Sequence, residues 1–335
     1  MSASSRLKKA LAWALVRSRG LRLLTSRLGS GQAILLAYHR VNDDADPFFP
    51  SLPRRLFVEQ LDYLAESYRV GPLDEVLDWL ARGADGPARV AITIDDGYGD
   101  TVDVVVPELK RRNLPATLFL STAPLETGEP LWIDRLRWLV KHATVTSVEL
   151  PGSGPNSLRL TTPAERQNSL GVLLHYLKSV SPEENGRVMD VLDSELRAEG
   201  PPLRLLTWGE VRRICAGPIK LGAHTHRHFM LSRLDDRQLE TEVQTSVDLI
   251  EKRTGVRVTT FAYPNGEPED YDSRAPSVLE RAGLRCALTT SYGLALPSDD
   301  PYRLPRVYTS EAPGELFAAR LLGSALQRSA GAPIS

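Results

Sequence analysis

Two short runs of this chain carry residues whose types and spacing suit hydrolytic chemistry on an unreactive bond. The first is Asp95-Asp96-Gly97, which follows the β-branched run Arg89–Ile94. Two adjacent carboxylates at the end of an apolar strand cost free energy unless a cation or hydrogen-bond donors compensate them. Strand alternation points neighbouring side chains apart, but a turn at the strand end lets both reach one pocket, and Gly97 supplies the backbone freedom for it. Asp-Asp-Gly is also ordinary turn chemistry, so this run means little without a partner. The second run, Gly222-Ala-His224-Thr-His226-Arg-His228, holds three of the six histidines within five residues. His224 and His228 are spaced i, i+4, so one helical turn, or a loop of equal reach, brings both rings to one ion. Imidazole suits Zn, Co, Ni and Fe, and a carboxylate completes a facial set with open positions. In a regular turn His226 points elsewhere, as a structural or solvent-facing residue, while Thr225 ties the loop through its hydroxyl.

The scaffold that positions these groups is visible in the periodicity. Ile34–Tyr38, Arg89–Ile94, Pro115–Ser121, Ile219–Ala223, Arg257–Tyr263 and Cys286–Thr290 read as strands, and Leu56–Tyr68, Leu73–Leu80, Thr101–Asn113, Asp235–Thr254 and Ser277–Ala282 as helices. This alternation calls for a parallel sheet with covering helices, and the number of units suits a barrel. Residues from about 124 to 206 break the rhythm with a helix over Leu131–His142, a hairpin or loop around Pro151-Gly-Ser-Gly-Pro155, and helices over Pro163–Val180 and Pro182–Glu199. The Pro/Gly edges mark an insertion on the barrel, on the loop face where substrates bind. The expected organisation is therefore a basic amphipathic helix over 1–32, the barrel over 33–310 with its insertion, and a C-terminal helix and tail over 311–335.

Composition narrows the class. The 335 residues are 42% hydrophobic and 25% charged with a net charge of −1, which fits a globular protein and argues against a nucleic-acid binder. Two cysteines, Cys215 and Cys286, exclude a disulfide framework and read as small buried thiols. Before Asp43 there is no acid, while Arg6, Lys8, Lys9, Arg17, Arg19, Arg22, Arg27 and Arg40 are all basic. The run Leu11–Val16 is too short for a signal-peptide core or a membrane span. Leu7, Leu11, Leu15 and the pair Leu21/Leu24 recur at helical spacing, so the segment reads either as a peripheral membrane contact or as a helix packed on the barrel. The expectation is a cytoplasmic protein, with the inner membrane face as its site if the helix binds lipid.

The combination Thr93-Ile-Asp95-Asp96-Gly97, then His224-Thr-x-x-His228, then Phe261-Ala-Tyr-Pro264-Asn-Gly266 resembles the polysaccharide deacetylases of carbohydrate esterase family 4. Leu36-Ala-Tyr38-His39-Arg-Val is also similar to the first strand of many bacterial members. The resemblance runs from about Ile34 to Val307, interrupted by the insertion. It implies a deformed (β/α)7 barrel and metal-dependent removal of N-acetyl groups from amino sugars of a bacterial polysaccharide or its precursor, with release of acetate. It further implies Asp95 as general base and Asp96, His224 and His228 as ligands of a divalent ion, Zn with Co or Ni as alternatives. Tyr263, Pro264 and Asn265 form the substrate and oxyanion region. An N-acetylated amino-sugar oligomer or polymer is the implied partner.

The chain departs from the family pattern at three points. Where members often carry an arginine two residues before the proline of the third motif, this chain has Ala262, and the tyrosine after that proline is Asn265. Arg306, expected just after a late strand, either supplies a replacement guanidinium for Asp95 or is a surface arginine. No histidine follows His228, so the usual late general acid is missing. His39 either takes that role or is a hydrogen-bonding neighbour. Trp132 and Trp138 either stack on sugar rings or form the buried stripe of their helix. The acidic run Glu267–Asp272 either contacts an amine product or is a solvated turn and cap. The alternative functions are a deformylase or amidase on a related C–N substrate, or a carbohydrate-binding protein with decayed catalysis.

Overall fold

The computed structural model describes residues 30–150, 155, 157–198, 203–308 and 312–329. The expected N-terminal basic helix, the turn at Pro151–Gly154 and the tail after Ser329 lie outside these residues. In chain order the strands are β1 (Ala33–Tyr38), β2 (Arg69–Val70), β3 (Arg89–Ile94), β4 (Ala116–Leu120), β5 (Ser147–Val148), β6 (Leu158–Arg159), β7 (Ile219–Ala223), β8 (Thr260–Ala262), β9 (Cys286–Tyr292) and β10 (Leu304–Tyr308). Seven of them form a closed parallel barrel in the order β1-β10-β9-β8-β7-β4-β3, with β3 pairing back onto β1. The short β2 pairs with the first two residues of β3, and β5 and β6 make a separate antiparallel ribbon.

Helices cover the barrel: α1 (Arg54–Ser67), α2 (Leu73–Ala81), α3 (Val106–Arg111), α4 (Thr122–Thr127), α5 (Trp132–His142), α6 (Pro163–Ser179), α7 (Pro182–Leu196), α8 (Trp208–Cys215), α9 (Asp236–Thr254), α10 (Ala275–Arg281) and α11 (Gly314–Ser329). Three starts are written in the sequence as capping boxes, Thr162 with Glu165, Thr207 with Glu210 and Asp235 with Gln238, each satisfying otherwise orphaned backbone donors. The helix expected over Thr101–Asn113 is a wide π turn over Thr101–Val105 followed by α3. Cys286 is buried as expected, whereas Cys215 at the end of α8 is only half-buried.

Two strand expectations need correction. The third-motif strand is only Thr260–Ala262. Arg306 stands within β10, not after a strand. Pro305, its second residue, has no N–H to donate, and pairing with β9 shifts register between Leu304 and Arg306, as suits a proline-bearing strand.

Alternation decides what the barrel encloses. Ile34, Leu36, Tyr38, Val90, Ile92, Ile94, Leu118 and Leu120 pack outward with α1, α3 and α9 in the largest apolar cluster. The opposite parity, Ala33, Leu35, Ala91, Phe119, Ala262, Leu288 and Leu304, forms a second cluster with Leu73, Val76, Trp79 and Leu80 of α2, so α2 plugs the bottom of the barrel. Continued toward the strand C-termini, this inward parity reaches His39, Asp95, His224, Arg306 and Tyr308. Gly222 belongs to the same interior set. A Cβ there would stand 2.4 Å from the ring of Phe119 and 3.0 Å from Thr260 Oγ1, so only glycine lets that ring lie across β7.

The helices α5, α6 and α7 bury an apolar cluster of their own, centred on Leu136, Leu139, Leu173, Leu177, Val188 and Leu192. Trp132 and Trp138 pack partly buried against it. Backbone hydrogen bonds from Gly99 N to Arg204 O and from Leu206 N to Gly97 O, each 2.9 Å, fasten the end of this segment to the turn after β3. Among the described residues no helix is long and apolar enough to cross a membrane.

Candidate active site

Strand register brings the chemical groups together. β1 and β3 run in step from Ala33↔Arg89 to Tyr38↔Ile94, so His39 and Asp95 leave adjacent strand ends side by side. β4 and β7 run in step to Leu120↔Ala223, which sets Ser121 beside His224. These ends open into one cavity of about 430 Å³ at the C-terminal face of the barrel, where βα barrels place their chemistry.

Asp95 is 1% exposed and fully engaged. Its N–H donates to Tyr38 O at 2.9 Å. Both its carboxylate oxygens accept from Arg306 Nη1, at 3.0 and 2.8 Å. Arg306 is itself buried, donating from Nε to Thr289 O at 2.9 Å and from Nη2 to the Tyr308 hydroxyl at 3.3 Å. The surface-arginine alternative is therefore excluded. Burial works against the guanidinium charge, and the Coulombic pull of Asp95 outweighs it, holding its pKa above the ordinary arginine value. Burial likewise pushes the Tyr308 phenol up to about 12, so Tyr308 stays neutral. His39 lies on the open side of Asp95, with Nε2 3.6 Å from Oδ2 and its ring stacked on Tyr308 at 6.2 Å. The Ala262 carbonyl accepts the His224 Nδ1 hydrogen at 2.7 Å.

That last bond fixes the chemistry of Asp96, His224 and His228. A carbonyl can only accept, so His224 Nδ1 carries the hydrogen and Nε2 presents its lone pair. Nε2 stands 3.3 Å from Asp96 Oδ1, and His228 Nε2 stands 3.4 Å from the same oxygen. Asp96 Oδ1 and His228 Nδ1 are buried without a hydrogen-bond partner. Acceptors facing each other at that range need positive charge between them, from a proton or a metal ion. Metal–ligand bonds of ~2.0–2.2 Å around one tetrahedral ion separate its ligand atoms by about 3.3–3.6 Å, which these distances match. Among the described residues this is the one set of three with ligand atoms mutually within 4.8 Å, so it fits a divalent ion. Burial would raise the Asp96 carboxyl, but the two histidines outweigh it and hold it well below the usual carboxylate range.

The backbone carries strain to achieve this. Asp96, Thr225 and His228 have φ of 76°, 61° and 63°, a region that non-glycine residues seldom adopt. Gly97 follows at φ 91°, where a side chain would also press on Leu120. The histidine run is thus a loop, not a helical turn. Of its braces only Thr225 was visible in the sequence. Thr225 Oγ1 accepts from His228 N at 3.0 Å, and Ser121 Oγ donates to His224 O at 2.8 Å. Trp132 Nε1 donates to His228 O at 3.1 Å and its ring stacks on Phe229, so this tryptophan braces the loop. Glu242, buried on α9, accepts from His226 N and Arg227 N at 3.0 and 2.7 Å and from Arg227 Nε at 2.6 Å. No motif flagged Glu242; only its interior-facing register on α9 sets it apart. His226 turns away, with Nδ1 2.9 Å from Thr122 Oγ1.

The third-motif residues divide. Tyr263 and Asn265 line the cavity, whereas Pro264 does not. Tyr263 spends its hydroxyl on Tyr302 O at 3.0 Å and stacks on Tyr271, which makes it a wall. Asn265, at φ 58°, binds Lys178 Nζ through Oδ1 and Asp270 Oδ2 through Nδ2. Asp270 also accepts from Glu267 N at 2.9 Å, so the acidic run is a turn cap, and its one buried carboxylate is occupied. His142 hydrogen-bonds its own helix at Trp138 O.

Comparison with known proteins is consistent with this geometry. The family model described as polysaccharide deacetylase matches residues 82–287. Among solved structures, the Streptococcus pyogenes deacetylase PplD in complex with acetate is 18% identical, covering 87% of this chain and 98% of its own, with a TM-score of 0.59. IcaB from Ammonifex degensii is 18% identical over 88% and 97%, with a TM-score of 0.56. The deacetylase domain of BpsB from Bordetella bronchiseptica is 17% identical over 84% and 96%, with a TM-score of 0.52. At such identities the likeness is one of fold. No curated protein sequence matches.

Proposed function

Because the chain belongs to the polysaccharide deacetylase family, we propose that it removes N-acetyl groups from amino sugars of a bacterial glycan or its precursor with a divalent ion, zinc foremost, held by Asp96, His224 and His228. One observation carries the reading: a buried carboxylate oxygen faces two imidazole nitrogens at 3.3 and 3.4 Å with no hydrogen bond between them. Bound there, a divalent ion would supply Lewis acidity toward the amide carbonyl.

The residues around it divide the proton work. Asp95 accepts the proton of the attacking water, and Arg306 fixes both of its oxygens so that one orientation is kept. Asn265 lines the cavity, and its backbone N–H would donate to the oxygen of the tetrahedral intermediate as that oxygen gathers charge. His39 delivers a proton to the departing amine from the open side of Asp95. A carbohydrate-binding protein with lost catalysis has no use for this buried, strained constellation, which supports the hydrolase. The test is acetate release from N-acetylglucosamine oligomers by chelated protein and after addition of Zn or Co. Acetate that appears only with metal supports the reading. Equal release after chelation, or release of formate alone from N-formyl analogues, would replace it.

A further inference from the structure

The cavity wall holds two cations that the hydrolysis of a neutral acetamide does not use. Asp95 is matched by Arg306 at 2.8 Å, and Arg40 by Asp100 at 3.8 Å. Two further cations line the same cavity, Arg137 from α5 and Lys178 from the last turn of α6, both supplied by the helical insertion. Among the described residues Arg137 has one polar partner, Asp134 Oδ1, at a long 3.5 Å. That carboxylate also accepts from the Tyr98 hydroxyl at 3.0 Å, so it is shared between the phenol and the guanidinium. Among the described residues Lys178 Nζ hydrogen-bonds only the neutral amide oxygen of Asn265. The nearby Asp270 is committed to Asn265 and the Glu267 backbone. Burial pulls the lysine below its ordinary value against the attraction of Asp270 and Glu267, and the like charge of Arg137 adds to the fall. Two like charges brought together on a partly desolvated wall repel one another, an arrangement that an anion would relieve.

Resting on the deacetylase reading above, we infer that Arg137 and Lys178 form a binding site for an anionic group carried by the substrate, a phosphate or carboxylate adjoining the acetamido sugar. The insertion then selects the substrate, while the barrel performs the chemistry. A planar guanidinium and a three-donor ammonium together suit an oxyanion with several acceptors. The Lys178–Asn265 bond ties recognition of that anion to the third-motif loop that lines the cavity.

The test compares three substrates on the metal-loaded full chain: a neutral N-acetylglucosamine trimer, the same trimer with a terminal phosphate, and an oligomer alternating N-acetylglucosamine with glucuronate. One of the charged substrates should exceed the neutral trimer in kcat/KM by about tenfold or more. Which one does so distinguishes a phosphorylated precursor from an acidic polymer. The ratio of charged to neutral should fall toward one in Arg137→Gln/Lys178→Gln and persist in Arg137→Lys/Lys178→Arg. Calorimetric binding of the phosphorylated and neutral trimers gives a readout independent of turnover. Charge-dependent binding without acetate release would keep the anion site and overturn the deacetylase reading. Equal rates and equal binding for charged and neutral substrates would overturn the anion site and leave the deacetylase standing. A preference that survives the double glutamine variant would also overturn it.

Discussion

The two carboxylates that end β3 are neighbours in sequence and opposites in environment. Asp95 is complete as it stands: both oxygens accept from one guanidinium, and its backbone closes onto β1. Asp96 is incomplete, held at a left-handed φ with an unpartnered buried oxygen turned toward two imidazoles. The base side of the cavity is thus rigid without any ligand, and the ligand side gains most of its stabilisation from what it binds. Anything that binds only the folded state adds stability as RT ln(1 + [L]/Kd). Metal should therefore raise the melting temperature through the Asp96 side, and changes on the Asp95 side should leave that increment intact.

His228→Ala breaks the comparison at its strongest point. Metal content and activity should fall together, with affinity lower by more than the ~10–100-fold typical of losing an outer-shell partner. Elemental analysis after dialysis checks this, and unchanged stoichiometry would show the ligand set to be wrong. Asp95→Asn breaks the other side. Metal content should hold while acetate release falls by about 10²–10⁴-fold. Full activity in that variant would remove Asp95 as the base.

Arg306→Lys sharpens the contrast with a smaller change. It keeps one positive charge beside Asp95 but loses the donors to Thr289 and Tyr308, so the carboxylate is no longer held in one orientation. The expected result is a fall of about tenfold in kcat with KM and metal content nearly unchanged, as a lost positioning contact produces. A rise in KM alone would assign Arg306 to substrate binding. Arg306→Ala is the harsher control. Leaving a buried carboxylate unpaired typically costs about 3–5 kcal/mol, visible as a lower denaturation midpoint.

What could be read from the chain before its structure follows the same division. The Asp96 side was legible because each contributor follows a strongly apolar strand and the two histidines sit four apart. The Asp95 side was only half legible. Arg306 lies 211 positions from its partner in a strand that Pro305 hides, and only the barrel's closure of β10 onto β1 brings the two together. Glu242 and Trp132 were silent for another reason. They act through backbone atoms of the histidine loop, and such contacts leave no spacing in the sequence. The walls contributed by α5 and α6 follow from how the insertion packs. Helical periodicity located those helices to within a few residues but could not tell which face meets the cavity.

Glu108, far from the cavity, gives the smallest effect and a control for what a satisfied carboxylate is worth. Like Asp95 it is buried and bound to guanidinium groups, accepting from Arg54 at 2.7 Å, Arg111 at 2.6 Å and Arg112 at 2.9 Å. The Arg54 hydrogen bond leads in lowering it from the usual 4.5 to about 2. The folded value lies below the unfolded one, so the stabilisation is fully present above pH 4.5 and is lost as pH falls toward 2. Glu108→Gln should therefore lower stability at neutral pH and flatten its decline between pH 4.5 and 2. Because Arg54 and Arg111 are 46% and 62% exposed, solvent screening holds the expected loss to about 1–2 kcal/mol. Urea titrations at a series of pH values check it. Activity at pH 7 and the metal-induced rise in melting temperature should match the parent. A variant that also lost metal would show that α3 supports the Asp96 turn, and the separation between the two sides of β3 would have to be redrawn.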